Sequence, residues 1–179
     1  GLEELVAYDI ATDSADRGPL IHERARVSGA RLVESSGELA SSADLILSTV
    51  TSSSALEAAE QTAAFLRSGH MYADLNSVSP ALKRRIAGTI SETGADFVEV
   101  AVMAPVQPYG HRVPMLVGGP AARAFAERLG PFGMRLEVLG SSAIGTAAAV
   151  KMCRSIVVKG LEAILCECVL GAHEYGAAD

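Results

Sequence analysis

Apolar segments of strand length alternate with segments of helical pattern along most of this 179-residue chain. The clearest strand is 44–50 (DLILSTV), a mostly apolar run bounded by polar residues, which is typical of a strand buried on both faces of a sheet. The following segment, 51–69, opens with hydroxyl residues suited to capping and continues as an amphipathic helix to Gly69. This alternation predicts an α/β fold with a Rossmann-like, doubly wound parallel sheet.

The same alternation extends in both directions from these two segments. Further strands are predicted at 5–8, 30–33, 70–76, 96–103, 113–119 and 135–140, and further helices at 20–28, 36–43, 80–93 and 120–133. One long helix is predicted over 144–175. We therefore expect residues 1–142 to form one Rossmann-like domain, and residues 143–179 to form an interdomain helix that begins an all-helical domain.

Composition narrows the classes of ligand. The net charge of −6 and the pI near 5.2 argue against nucleic acid and anionic membranes as partners. Charged residues interrupt the best candidate for a membrane-spanning segment. The three cysteines form no CxxC pair and the four histidines are scattered, so we expect reduced thiols, no metal site and a cytoplasmic protein.

Asp9 follows the first predicted strand, at a position where a dinucleotide-binding sheet carries an acidic residue. A carboxylate there can accept hydrogen bonds from the adenosine ribose and would repel a 2′-phosphate, which favours NAD over NADP. An exposed acid in a turn is the alternative interpretation. The pattern GxGxxG occurs nowhere in the sequence, and we expect a preceding strand and phosphate loop to be missing before Gly1.

Two other strand ends carry polar groups at the edge where doubly wound sheets bind ligands. The first loop, 48–54 (STVTSSS), has amides and hydroxyls that suit phosphate or ribose, although ordinary N-capping explains them equally well. The second loop, 74–80 (DLNSVSP), offers short hydrogen-bonding groups to a nicotinamide or a substrate, or forms a simple turn. The candidate cofactor-binding residues in these loops are Thr49, Val50, Thr51, Asn76 and Ser77.

Lys151 stands in a small, apolar, helical segment, 145–155 (GTAAAVKMCRS), where an alanine would pack without cost. Helical spacing places Ser155, Lys159 and Glu162 on the same face as this lysine, with Arg154 beside them. Such a face could hold a carboxylate or phosphate, or could simply be solvated. The opposite face is predicted to point toward the core through Cys153, Ile156, Val157 and Ile164.

The order of four segments resembles the β-hydroxyacid dehydrogenase superfamily, which includes 6-phosphogluconate and 3-hydroxyisobutyrate dehydrogenases. The segments are 74–80 (DLNSVSP), 97–108 (FVEVAVMAPVQP), 117–120 (VGGP) and 145–176. Asp74 and Pro80 fit the family's D-x-S-T-x-x-P loop, in which Asn76 and Ser77 replace the serine and the threonine. The segments 101–105 (AVMAP), 151–155 (KMCRS) and 159–163 (KGLEA) are similar to those of a divergent, phosphogluconate-dehydrogenase-like branch.

The substrate-binding segments of the family match less closely. Glu99 stands for the aspartate of the D-A-P-V-S-G-G loop, and Met103, Ala104 and Pro105 replace its last three residues. In the G-x-G-x-x-x-K-x-x-N-N motif, Gly145 and Lys151 fit, whereas Ala147, Arg154 and Ser155 are replacements. The resemblance thus implies that Met103, Ala104, Pro105, Arg154 and Ser155 bind the substrate.

The resemblance also implies a function. It predicts an NAD(P)-dependent oxidoreductase that exchanges hydride between nicotinamide and a small, acidic, 3-hydroxy-acid-like substrate, with Lys151 as the general acid/base. It implies a homodimer for the full-length protein. Two alternatives remain open: a truncated, non-catalytic remnant or binding module of this fold, and a reductase that acts on another C=O or C=N substrate.

Overall fold

The computed structural model describes residues 4–140 and 143–177. Strands and helices alternate through these residues. The strands are β1 (Val6–Ala7), β2 (Arg31–Leu32), β3 (Leu45–Ser48), β4 (Met71–Asp74), β5 (Asp96–Val102), β6 (Pro114–Gly118) and β7 (Arg135–Val138). The α-helices are α1 (Gly18–Ser28), α2 (Ser36–Ser42), α3 (Ala55–Ala63), α4 (Pro80–Ser91), α5 (Ala122–Leu129) and α6 (Thr146–Glu174).

The main sheet has the strand order β3-β4-β5-β6-β7. Strands β3, β4 and β5 are parallel, as predicted, but β6 runs antiparallel to β5, and β7 is parallel to β6. The expectation of a wholly parallel sheet was therefore wrong at one pair. The connection over 103–113 contains only a 3-10 turn, Gly110–Arg112, and no α-helix that could return the chain for a parallel pairing.

Strands β1 and β2 form a separate parallel pair. A cavity of about 1120 Å³, which we call the inter-sheet groove, lies between this pair and the β3 edge of the main sheet. Its walls include residues 4–8 and 42–47, and Leu47 remains 41% exposed there. Among the described residues, neither β1 nor β3 has a partner strand on the groove side. The single continuous sheet of the prediction is thus divided in two.

The main sheet is covered on both faces, as expected for an α/β fold. Tyr72 and Phe97 contribute to the cluster that contains helices α3 and α4, together with Ile86 and Ile90. The intervening strand residues pack on the other side, where Phe125 of α5 is completely buried. The predicted Rossmann-like fold class is confirmed in this mixed form.

Two predicted helices are shorter than expected. The helix predicted over 51–69 is only α3, because residues 51–54 form a turn and the Thr62 hydroxyl donates to the carbonyl of Ala58 at 2.7 Å near the helix end. The helix predicted over 120–133 ends at Leu129 and continues as the 3-10 turn Gly130–Phe132. Pro131 has no backbone N–H to extend the α-helical hydrogen bonding.

Helix α4 begins with a side-chain N-cap. The Ser79 hydroxyl accepts a hydrogen bond from the Leu82 amide at 3.2 Å, and Pro80 follows at the first helical position. We expect Ser79→Ala to lower the free energy of unfolding by about 1 kcal/mol. Ser54→Ala is the matched control, because Ser54 caps α3 without any side-chain bond to the helix. Urea denaturation measures both, and equal losses in the two variants would contradict the capping role.

Helix α6 contacts the rest of the protein mainly through its first turns, where Ala147 and Ala148 are buried. The core-facing stripe predicted further along was wrong, because Ile156, Val157 and Ile164 are each at least 60% exposed. Cys153 is exposed as well. The helix therefore projects away from the sheet with apolar residues open to solvent. Among the described residues, no helix is long and apolar enough to cross a membrane.

Candidate functional site

A pocket of about 360 Å³ lies at the carboxyl ends of β4 and β5, under the first turns of α6. This is the edge at which open α/β sheets bind ligands. We call it the lysine pocket, since it contains all three lysines of the sequence. It is lined by Asn76, Ser77, Val78, Ser79, Lys83, Val100, Ala101, Ala148, Lys151, Met152, Ser155 and Lys159.

Lys151 is half-buried on the α6 side of this pocket. Its Nζ donates a hydrogen bond to the Ser77 hydroxyl at 2.6 Å, which joins the helix to the loop after β4. Burial lowers the pKa of Lys151, and the positive charge of Lys83 lowers it further. A lysine with a lowered pKa is a better base near neutral pH than a solvated one.

Lys83 lies on the floor of the pocket and is only 1% exposed. Its Nζ donates to the carbonyls of Asp74 at 2.6 Å and Val100 at 3.4 Å, and lies 3.0 Å from the Asp74 carboxylate. Burial lowers the pKa of Lys83, while the carboxylates of Asp74 and Glu99 act in the opposite direction. The ends of β4 and β5 are thereby tied to one buried cation.

The Asp74 carboxylate also shapes the loop that follows β4. Its Oδ1 accepts hydrogen bonds from the Asn76 backbone amide at 2.9 Å and from the Asn76 side-chain amide at 2.6 Å. The same side-chain amide donates to the Ser48 hydroxyl at 3.0 Å. The remaining atom, Asn76 Oδ1, is buried without a hydrogen-bond partner in the described part of the chain. Asn76 is one of the residues that line the lysine pocket.

Glu99 fixes the start of α6 against the sheet. This buried carboxylate on β5 accepts hydrogen bonds from the backbone amides of Gly145 at 2.7 Å and Ala148 at 2.8 Å. Both amides lie at the N-terminal end of α6, where the backbone N–H groups have no acceptor within the helix. A negative charge at this position also interacts favourably with the helix dipole. Glu99 therefore helps to place Lys151, one turn further along the helix.

Four of the predicted site residues meet in the lysine pocket: Lys151, Ser155, Asn76 and Ser77. The other predicted substrate-binding residues do not line this pocket. They are Met103, Ala104, Pro105 and Arg154. Arg154 is exposed and donates through Nη1 to the carbonyl of Met103, beside α6. Ala104 packs against the core cluster on the α5 side, and Pro105 is exposed.

The other predicted cofactor residues lie outside the lysine pocket. Thr49 lines the inter-sheet groove, and Val50 is 43% exposed beside it. The Thr51 hydroxyl is engaged with the Ser53 and Ser54 hydroxyls at 3.1 and 3.0 Å. Asp9 accepts a hydrogen bond from the Ala11 amide at 2.9 Å, so one carboxylate oxygen already shapes the turn after β1.

Sequence reasoning missed the role of Lys83 at this site. A signal was present, because Lys83 shares the i, i+3, i+4 and i+7 spacing of Ile86, Ala87 and Ile90, the buried face of α4. A lysine in the register of a buried apolar stripe needs a partner inside the protein. The second missed feature is the capping of α6 by Glu99, for which the sequence offered only the family position of an acidic residue.

Comparison with known proteins identifies the family. Residues 3–132 match the family described as the NAD binding domain of 6-phosphogluconate dehydrogenase. The chain belongs to this family, and the predicted resemblance is confirmed. The family description names an oxidoreductase, a dehydrogenase, and the binding of NAD. Within the described residues, no group of three or more metal-ligating side chains comes together.

Three similar proteins are each much longer than this chain. An uncharacterised 28.5 kDa protein of Methanothermus fervidus is 32% identical over 151 residues, which are 84% of this chain and 57% of that protein. The structure of a conserved hypothetical protein of Sinorhizobium meliloti is 37% identical, with a TM-score of 0.84, and covers 97% of this chain and 57% of the other. A conserved protein of unknown function, reported as similar to 3-hydroxyacid dehydrogenases, is 30% identical, with a TM-score of 0.80 and coverage of 97% and 62%.

Two more distant structures share the fold alone. A 3-hydroxyisobutyrate dehydrogenase of Mycobacterium tuberculosis is 18% identical, with a TM-score of 0.79 and coverage of 98% of this chain and 58% of that one. An imine reductase of Myxococcus stipitatus, in complex with NADP⁺, is 20% identical, with a TM-score of 0.73 and coverage of 98% and 60%. This chain spans less than two thirds of the length of each of these relatives.

Proposed function

We propose that this chain is the cofactor-binding part of an NAD(P)-dependent oxidoreductase in which Lys151 is the general acid/base. The reaction exchanges hydride between nicotinamide and the hydroxyl-bearing carbon of a small 3-hydroxy-acid-like substrate. One observation carries the proposal: the hydrogen bond of Lys151 to Ser77 lies inside a pocket at the carboxyl edge of the sheet in an NAD-binding family. The proposed full-length protein is a cytoplasmic homodimer, in which the exposed apolar residues of α6 become covered.

The lysine pocket fits the nicotinamide end of the cofactor. Asn76 Oδ1 is a buried acceptor without a donor in the described residues, and the carboxamide of nicotinamide carries N–H donors. Ser77 lies beside it, and both residues would hold this end. When bound, the cofactor supplies the hydride acceptor or donor. We assign Thr49, Val50, Thr51 and Asp9 to the rest of the cofactor, with Asp9 favouring NAD over NADP.

In the oxidation direction, the neutral amine of Lys151 removes the proton of the substrate hydroxyl as hydride leaves the carbon. The Ser77 hydroxyl orients the amine, since it accepts one of its N–H bonds at 2.6 Å. In the reduction direction, the ammonium form returns the proton to the oxygen. The half-burial of Lys151 supports this assignment because a fully solvated lysine is protonated at neutral pH.

The charge of the pocket supports an acidic substrate. Three lysines line it, whereas the carboxylates of Asp74 and Glu99 are fully buried behind its wall. Ser155 and Lys159 extend the polar face of α6 beyond Lys151 and would bind the carboxylate of the substrate. Arg154, with Met103, Ala104 and Pro105, is assigned to the outer part of the substrate site.

The lowered pKa of Lys151 predicts a specific pH dependence. For oxidation, kcat/KM should rise with pH through the pKa of Lys151, and this limb should lie below the ordinary lysine value of 10.5. For reduction, kcat/KM should fall through the same pKa, since the protonated form is required. Opposite limbs at one pKa in the two directions confirm the acid/base role. A limb of the same sign in both directions contradicts it.

The test of the proposal uses the full-length protein. NADH and NADPH are titrated by fluorescence, and oxidation of 3-hydroxyisobutyrate and 6-phosphogluconate is then followed by nicotinamide absorbance. Saturable cofactor binding with turnover of a hydroxy acid supports the proposal. Cofactor binding without oxidation of either probe, but with reduction of an imine, would favour the C=N alternative. Absence of saturable binding by both cofactors would favour the non-catalytic remnant.

A further inference from the structure

We propose that Lys83 is a positioning residue of the lysine pocket, which fixes the loop after β4 and places a positive charge beneath the amine of Lys151. Its effect on turnover rests on the proposed function of Lys151. Its effect on the ionisation of Lys151 does not, and this difference allows the two proposals to fail separately.

The geometry of Lys83 indicates a charged ammonium group. Its Nζ has three oxygen acceptors within 3.4 Å, namely the carbonyls of Asp74 and Val100 and the carboxylate of Asp74. The two carbonyls accept hydrogen bonds from it, and the carboxylate forms an ion pair with it. A buried lysine keeps its charge when a carboxylate and further acceptors surround it. The Lys83 side chain is 1% exposed, and solvent therefore screens its charge very little.

The charge of Lys83 reaches the pocket more directly than that of its counterion. Lys83 is one of the residues that line the pocket, whereas Asp74 is not. The Asp74 carboxylate is engaged through Oδ1 with the Asn76 amides and through Oδ2 with Lys83, and Glu99 is engaged with the start of α6. Of these three charged side chains, only that of Lys83 lines the same pocket as Lys151. The lowered pKa of Lys151, which burial and Lys83 produce together, is consistent with this arrangement.

The other charged groups that face this part of α6 are also cations. Lys159 lines the pocket from α6 itself, and Arg154 lies on the same helix. Arg84 of α4 lies close to Gly145 at the start of α6. No acidic side chain is among the described residues that line the pocket. Lys83 differs from the other cations because it is buried and is held in place by three contacts.

Lys83 also fixes the partner of Lys151. By binding the last residue of β4 and a carbonyl of β5, it sets the point at which the chain leaves the sheet. The Asp74 carboxylate then holds Asn76, and Ser77 follows directly at 2.6 Å from Lys151. One side chain thus controls both the position of the Ser77 hydroxyl and the charge beneath the amine that it contacts.

The test measures the ionisation of Lys151 without substrate or cofactor. Acetic anhydride labels neutral amines, and mass spectrometry reports each of the three lysines separately over a range of pH. In Lys83→Met, the labelling midpoint of Lys151 should move to higher pH. At a fixed pH below the midpoint, labelling should fall about three- to tenfold, because one pKa unit is a tenfold change in the neutral fraction.

Arg85→Met is the matched control. It removes one positive charge from the same helix, two residues away, on the exposed side. The labelling of Lys151 should be unchanged in this variant. An unchanged midpoint in Lys83→Met, or an equal change in Arg85→Met, would overturn the proposal.

Lys83→Met leaves the buried Asp74 carboxylate without its counterion, and this variant can fail to fold. The double variant Lys83→Met/Asp74→Asn removes both charges and preserves an oxygen for the Asn76 amides. The same upward movement of the midpoint is expected in it, and an unchanged midpoint overturns the proposal here as well. If the midpoint moves while turnover of hydroxy acids is absent in every variant, the proposed function fails and the role of Lys83 stands.

Discussion

Lys151→Met in the full-length protein is expected to lower kcat for hydroxy-acid oxidation by about 10²- to 10⁴-fold, the usual contribution of a general acid/base. Methionine keeps the length and apolar stem of the side chain but has no proton to exchange. The hydrogen bond to Ser77 is lost, while the buried contacts of Ala147 and Ala148 that anchor α6 are unaffected. The dissociation constant for NADH, measured by fluorescence titration, should change little.

Lys151→Arg distinguishes proton transfer from simple charge. Arginine is a cation at all accessible pH values and cannot act as a base. If Lys151 exchanges a proton, both variants lose turnover to a similar degree. Substantial activity in Lys151→Arg would show that a fixed positive charge suffices, and near-normal turnover in Lys151→Met would remove the catalytic assignment altogether.

The sequence predicted the part of the site that lies on regular elements. The helix expected over 144–175 is found as α6, and its spacing places Lys151 and Ser155 on one pocket-facing side. The strands predicted at 44–50 and 70–76 are found as β3 and β4, with their carboxyl ends at one edge. Burial of the first strand on both faces was wrong, because β3 lies at the sheet edge and Leu47 is 41% exposed. Hydrophobic periodicity determines such features locally, and a single sequence therefore reveals them.

Other features depend on contacts between distant segments. Lys83 and Asp74 are nine residues apart, but the third acceptor of Lys83 belongs to Val100 on another strand. Glu99 meets the amide of Gly145, which is 46 residues away in the sequence. No local pattern shows which buried charges become partners. The core-facing stripe predicted on α6 failed for a related reason, since helical periodicity gives a face but not the element against which it packs.

The antiparallel β6 was predictable in part. The segment between β5 and β6 shows no helical pattern, and a parallel connection normally needs a crossover of a dozen or more residues. The separation of β1 and β2 from the main sheet was not predictable from the sequence. Strand pairing is decided by which edges meet, and the inter-sheet groove leaves the facing edges of β1 and β3 unpaired among the described residues.

Glu99→Gln is expected to lower the free energy of unfolding by about 3 kcal/mol, since hydrogen bonds to a charged group and unsatisfied buried donors each cost about 1–3 kcal/mol. Glutamine fills the same volume but has only one acceptor oxygen. It can accept from Gly145 or from Ala148, and its amide group then faces the other N–H as a second donor. The favourable charge at the start of α6 is lost as well.

Glu137→Gln on β7 is the matched control, because Glu137 is exposed and should change stability by less than about 0.5 kcal/mol. Urea denaturation followed by circular dichroism compares the two. Because Glu99 anchors the helix that carries Lys151, the variant should also weaken the Lys151–Ser77 contact and lower kcat below the unfolding transition. Stability equal to that of Glu137→Gln would mean that the two amides find other acceptors, and that the sheet does not hold α6 through this carboxylate.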